Sequence, residues 1–202
     1  MKKIALLLLL FVVFQANAQE FHFIPKIGLN FANMTNSEGA SMKAGLNIGV
    51  AGEVMMTNNF AIEPGIYYSM QGFKVSGTTA KLKNDYLNIP ILLKGYVYEG
   101  FNLFAGPQLG FKVSSKVKAS DSGTSVSTDV LSDWFKTFDF SLVVGAGYQT
   151  SMGLLFSLSY NVGLTNTLNK DNIASTIPGV SSSDIDGKSR NGVLQFNVGW
   201  RF

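Results

Sequence analysis

Seven charged side chains stand singly among glycines, serines and short amides: Lys26, Glu53, Glu63, Lys94, Lys112, Asp139 and Arg201. Isolated carboxylates and ammonium groups of this kind can pass protons or line a narrow ion path when they are sequestered from water. They can also neutralise one another, because an unpaired charge in an enclosed setting is costly. Mutual neutralisation is the expected arrangement, with Lys26, Glu53 and Glu63 close enough in strand position to meet. Nucleophilic catalysis commonly needs a hydroxyl or thiol beside a histidine base. The chain has one histidine, His22, and no cysteine. The same shortage argues against a transition-metal site. The acidic stretch "SSSDIDG" fits no calcium-loop spacing. The glycine-rich "GLNIGVAG" reads as strand with no helix behind it, so it is no phosphate loop. The expectation is no enzyme, no cofactor and no metal.

The elements that carry these charges alternate with a period of two. At the C-terminus, "NGVLQFNVGWRF" sets Leu194, Phe196, Val198, Trp200 and Phe202 against Val193, Gln195, Asn197, Gly199 and Arg201. Seven further segments share the pattern, beginning at Phe21, Lys43, Phe60, Tyr86, Phe101, Phe138 and Leu154. In each, one parity is apolar and the other holds Gly, Asn, Ser, Gln and the single charges. Most run longer than the roughly 5–6 residues of a soluble strand and match the roughly 9–11 that a tilted membrane strand requires. Aromatics close the apolar rows, as two membrane interfaces demand. Phe23, Phe60, Phe101, Tyr148 and Trp200 are expected at one rim. Phe31, Tyr68, Phe111 and Phe138 are expected at the other. Pro25, Pro64, Pro90 and Pro107 fall inside these segments, and bulges or kinks are expected there.

The links alternate too. "TNN", "EG" and "TSMG" are hairpin turns, whereas "ANMTNSEGAS", "SGTTAKLKND" and the segments around 114–137 and 165–189 are long and polar. Short turns on one side and long loops on the other is the pattern of outer-membrane barrels. The expected fold is therefore all-β, an eight-stranded antiparallel up-and-down transmembrane β-barrel, with both termini periplasmic. Its only histidine then lies at the periplasmic rim, away from the outer rim where barrel enzymes work. Within the third long link, "DVLSDWFKTF" has helical spacing over 129–138, read first as a loop packed on the rim and second as a short amphipathic helix.

Composition agrees. Among 202 residues, 46% are hydrophobic and 14% charged, against about 25% charged in soluble domains. Residues 1–18, with Lys2 and Lys3, an apolar run and Ala16-Asn17-Ala18, read as a cleaved signal peptide, leaving 19–202 as the barrel domain. Removing those two lysines lowers the formal charge from +3 to +1, so nucleic acid is not an expected partner.

The run "YLNIPILLKGY", the "GAGY" of the sixth segment and the aromatic C-terminal strand resemble the PorT-type outer-membrane β-barrel proteins of Bacteroidetes. The resemblance implies the eight-stranded barrel and little about activity, although the namesake is tied to secretion across the outer membrane. The expected role is structural, or surface interaction through long extracellular loops, in a monomer. The expected partners are outer-membrane lipid and the barrel assembly machinery, which would recognise Trp200 and Phe202 as an assembly signal. A small solute or ion channel, a secretion accessory and a soluble lipocalin-like carrier are the rivals.

Overall fold

A computed structural model describes residues 20–35, 40–75, 81–121, 124–128, 137–165 and 190–202. The strands are β1 (Phe21–Thr35), β2 (Ala40–Met55), β3 (Phe60–Val75), β4 (Lys81–Tyr98), β5 (Phe101–Asp121), β6 (Thr124–Thr128), β7 (Phe138–Gln149), β8 (Leu154–Gly163) and β9 (Arg190–Trp200). All pairings are antiparallel, and β4 pairs with β5 while β1 pairs with β9, so eight strands close a barrel. The ninth, β6, folds back on the far end of β5 alone.

The closure has a definite stagger. From Phe21, successive partners are Val54, Ile62, Leu93, Ala105, Val144, Tyr160 and Leu194, and the circuit returns to β1 at Phe31. A ten-residue offset over eight strands tilts them by about 40° and leaves an interior that side chains can fill.

Alternation decides what faces where. Ile27, Leu29, Leu46, Ile48, Ile91, Leu103, Leu158 and Phe196 are exposed on the outside, whereas Asn30, Asn47, Ser69, Asn88, Asn102 and Gln195 are buried within. A soluble protein has the opposite arrangement, so the solvent for the outer wall is lipid. No helix among the described residues is long and apolar enough to cross a membrane, which is no objection to crossing with strands. A few aromatics thicken the interior, and glycines make their room. A Cβ on Gly65 would lie 2.6 Å from the Tyr67 ring, and one on Gly145 would lie 2.5 Å from the Phe104 ring.

At one end the links are short: residues 56–59, Glu99-Gly100 and residues 150–153. Glu99 and Gly100 both have positive φ, 31° and 85°, which matches the handedness of a two-residue hairpin turn. The described chain begins and ends at this short-turn end.

Two expectations fail. The prolines cause no register shift. Pro25, Pro64, Pro90 and Pro107 each pair normally on one side, opposite Val50, Ile91, Gln108 and Leu142. On the other side the ladder lapses for a residue or two and resumes in the same register. Beside Pro25, for example, Phe202 N–H again donates to Phe23 C=O at 3.0 Å. A missing N–H costs about one hydrogen bond, which a 15- to 21-residue strand in a closed wall absorbs. The register shifts fall instead between Met42 and Asn47, Asp85 and Tyr86, and Tyr96 and Tyr98. Secondly, much of the supposed loop sequence is strand. β4 starts at Lys81, β5 runs to Asp121, and β6 forms a further hairpin. Lysines on the parity that is apolar elsewhere in β4 hide such an extension from a search for a continuous apolar row. The signal segment 1–18, the proposed helical stretch up to residue 136 and "SSSDIDG" lie outside the described residues.

Candidate functional site

The inward positions near the short-turn end come from five consecutive strands around the wall. β1 supplies Lys26, β2 Glu53, β3 Glu63, β4 Lys94 and Tyr96, and Arg201 follows β9. Each is placed by parity: the outward neighbours Ile27, Val97 and Trp200 are exposed. Lys26 donates to Glu63. Lys94 bridges the two acids, at 2.5 Å from Glu53 and 2.9 Å from Glu63. The Tyr96 hydroxyl donates to Glu53 at 2.6 Å. Arg201 Nε lies 3.1 Å from Glu53 Oε1, off the N–H direction, so this contact is an ion pair rather than a hydrogen bond. Arg201 Nη2 is 2.9 Å from His22 Nδ1. Glu53 and Glu63 are 0% and 1% exposed, and Lys94 is 2% exposed, so the pairs are out of water and weakly screened.

The cluster separates two spaces of different size. On the short-turn side an open vestibule of about 1190 Å³ is bounded by the turns and by Tyr96, Gln149 and Arg201. On the other side a cavity of about 30 Å³ is lined by Lys26, Asn47, Glu63, Asn88 and Asn197 together with Leu92, Phe104 and Val143. That cavity admits a water molecule and no solute. Around it and beyond it the interior is laced with amides and hydroxyls. Asn30 Nδ2 donates to Ser69 at 2.7 Å, Asn47 Nδ2 to Asn197 at 2.8 Å, and Gln108 Nε2 to Ser141 at 3.1 Å.

Of the seven charged residues singled out in the sequence, the structure brings five together and leaves two apart. Lys112 and Asp139 lie nearer the long-loop end. Asp139 accepts from the Thr165 hydroxyl at 2.5 Å and from Asn191 Nδ2 at 3.2 Å. Lys112 stands opposite Tyr86 in the β4–β5 ladder. Tyr96 was missed, although its position two residues from Lys94 on the same parity was a usable signal. No cluster of three metal-ligating side chains occurs among the described residues.

On the outer wall, Phe23, Phe60, Phe101, Tyr148 and Trp200 are exposed toward the short-turn end. Phe31, Tyr68, Phe111 and Phe138 are exposed toward the other. Phe101 pairs with Tyr148, and Phe111 meets the Phe138 ring edge-on with centroids 5.6 Å apart. Phe23 and Phe31 are separated by eight residues of β1, about 20 Å along the barrel axis at the strand rise and tilt. An apolar band of roughly that height is what an outer membrane covers. Phe202 is 70% exposed beyond the last strand.

An apolar, aromatic-edged outer wall around a packed polar interior defines a small transmembrane β-barrel of the outer membrane. The chain belongs to the family described as "Outer membrane protein beta-barrel domain", whose sequence profile matches residues 15–169. Neisserial surface protein A is similar in structure, with a TM-score of 0.55 at 11% identity over 89% of this chain and 97% of that one. Ail, the attachment invasion locus protein of Yersinia pestis, aligns with a TM-score of 0.49 at 18% identity over 91% of this chain and 99% of that one. The N-terminal barrel domain of Pseudomonas aeruginosa OprF aligns with a TM-score of 0.47 at 9% identity, over 91% and 98%. Comparison with curated protein sequences found no match. The family match places the chain among outer-membrane β-barrels, and the likeness to Neisserial surface protein A agrees with it in fold.

Proposed function

We propose that this chain is a non-conducting, non-enzymatic barrel that acts through its long-loop end, as a surface-interaction or structural protein of the envelope. In this reading residues 1–18 are removed on export, the termini face the periplasm and the long-loop end faces outward, in a monomer. The observation that carries it is the ion cluster. Lys26, Glu63, Lys94, Glu53 and Arg201 cross-link five neighbouring strands through the interior, between the vestibule and the small cavity. A hydrated ion crossing there would have to break buried ion pairs, each costly to separate. What remains for contact with other molecules is the end where β4, β5 and β6 project.

Planar-bilayer recording of the purified full chain tests the reading. The expected trace is flat at moderate voltage. Stable single-channel steps, shifted in size by Glu53→Gln, would overturn it in favour of a narrow channel. The resemblance of "YLNIPILLKGY" to PorT-type proteins supports a second reading, an accessory of a secretion machine. Deleting the gene and comparing secreted proteins tests that reading, and an unchanged secretome rejects it.

A further inference from the structure

Asp139 is an inward charge outside the ion cluster, and its two oxygens reach opposite ends of one loop. β8 ends at Gly163 and β9 begins at Arg190, so residues 164–189 link them. Asp139 Oδ1 accepts from the hydroxyl of Thr165, on the outgoing side, at 2.5 Å. Asp139 Oδ2 accepts from Asn191 Nδ2, on the returning side, at 3.2 Å. The carboxylate is 8% exposed, so water competes little for either contact.

The two ends of this loop part at the wall. Val162 opposite Gly192 is the last pair of the β8–β9 ladder. Beyond it the outgoing chain stays with β7: Leu164 N–H and Thr165 N–H both donate to Phe140 C=O, at 2.8 and 3.3 Å. The returning chain instead pairs with β1, Arg190 opposite Thr35 and Asn191 opposite Met34. Asp139 spans the fork between them. On the outgoing side the contact is doubled, because the Thr165 hydroxyl accepts from Phe140 N–H at 3.0 Å while it donates to Asp139. On the returning side the Asn191 side chain also hydrogen-bonds the hydroxyl of Tyr86, which is buried on β4.

A carboxylate suits this place. It accepts through two oxygens at once, and its hydrogen bonds are stronger than those of a neutral acceptor. Strand ends otherwise open at little cost in free energy. We propose that Asp139 is a positioning residue that clamps the exit of the chain from β8 to its return into β9, so that residues 166–189 leave and re-enter the wall at fixed points. That this end of the barrel meets other molecules belongs to the reading above; the clamp stands apart from it and is tested apart.

The test is hydrogen exchange of the purified full chain in detergent micelles, read by mass spectrometry at single-residue resolution. Asp139→Ala is expected to speed exchange at Leu164 and Thr165, and at Asn191 and Gly192, by roughly tenfold. Gln149 and Thr150, whose amides are bonded at the opposite end of the barrel, should exchange as in the wild type. Thr165→Val keeps the shape and removes the hydroxyl, and should speed exchange at Leu164 and Thr165 alone. Thr165→Ser keeps the hydroxyl and should match the wild type. Unchanged exchange at either end of the loop in Asp139→Ala overturns the proposal. So does an equal rise at Gln149 and Thr150, which would make Asp139 a general support of the barrel. Thr165→Ser as open as Thr165→Val overturns it too. Should Asp139→Ala fail to fold, the two Thr165 variants decide, because Thr165 lies beyond the end of its strand.

Discussion

Replacing Glu63 with glutamine preserves shape and removes one charge from the centre of the ion cluster. The carboxylate is 1% exposed and accepts from both Lys26 and Lys94. In the wild type, Lys26, Lys94 and Arg201 face Glu53 and Glu63, a surplus of one positive charge with His22 neutral. Glu63→Gln raises the surplus to two and leaves Lys26 without its carboxylate. Removing one partner of a buried pair typically costs about 3–5 kcal/mol, and the setting here matches that case. The assay is urea unfolding of the folded barrel in detergent micelles, followed by tryptophan fluorescence and by heat-modifiable gel mobility. At a slope of about 2 kcal/mol per molar urea, the midpoint falls by about 1.5–2.5 M. The double variant Lys26→Met/Glu63→Gln restores the original surplus and leaves Lys94 paired with Glu53. It is expected to recover at least half of the loss. Glu63→Gln within about 0.5 kcal/mol of wild type would refute the view that the cluster holds the barrel together. A double variant as unstable as the single one would refute the charge-balance reasoning.

Three other perturbations bear on different parts of the wall. Gly145→Val must displace the Phe104 ring, since even a Cβ would lie 2.5 Å from it, and a loss of about 1–3 kcal/mol in the same unfolding assay is expected. Gly100→Ala forces an alanine to φ of 85° in the β4–β5 turn and should cost about 1–2 kcal/mol, mainly by faster unfolding. Trp200 stands 42% exposed on the outer wall beside the short-turn end. With Trp134 replaced by Phe, its fluorescence should be quenched most strongly by lipids brominated near the headgroup and least by lipids brominated at the chain end.

How much of this was legible in the residues depends on which solvent each face meets. Between the two aromatic rows one face meets lipid and the other a packed polar interior, so Phe196 and Gln195 carry opposite instructions and the strand is plain. Past the rows the apolar parity is broken, as in "KLKND", where Lys81 and Lys83 fall on the parity of Ile91 and Leu93, and the strand ends were read as loop. The prolines misled for a related reason. Proline usually marks the end or the bulge of a strand held by few neighbours. Pro64 and Pro90 sit in strands fixed on both sides by a closed wall, where one absent N–H cannot change the register. For the charges, parity is written in the sequence: Lys26, Glu53, Glu63, Lys94 and Arg201 all occupy inward positions. Their height is not, because it depends on the ten-residue stagger that only closure sets. That stagger carries Arg201 level with Glu53 and leaves Asp139 with Thr165 and Asn191.

The cluster also has a bearing on assembly order. Its members on β1, β2, β3 and β4 can meet as soon as those consecutive strands pair, but Arg201 follows the last strand. Glu53 therefore gains its arginine only when the first and last strands zip together. An incompletely sealed sheet would hold Glu53 against lipid or water with part of its counter-charge missing. The final ladder is thus made together with a charge-neutralising contact, and the seam closes like a latch rather than by gradual drift. Half-shut forms should be scarce, and the barrel should open and shut as one unit.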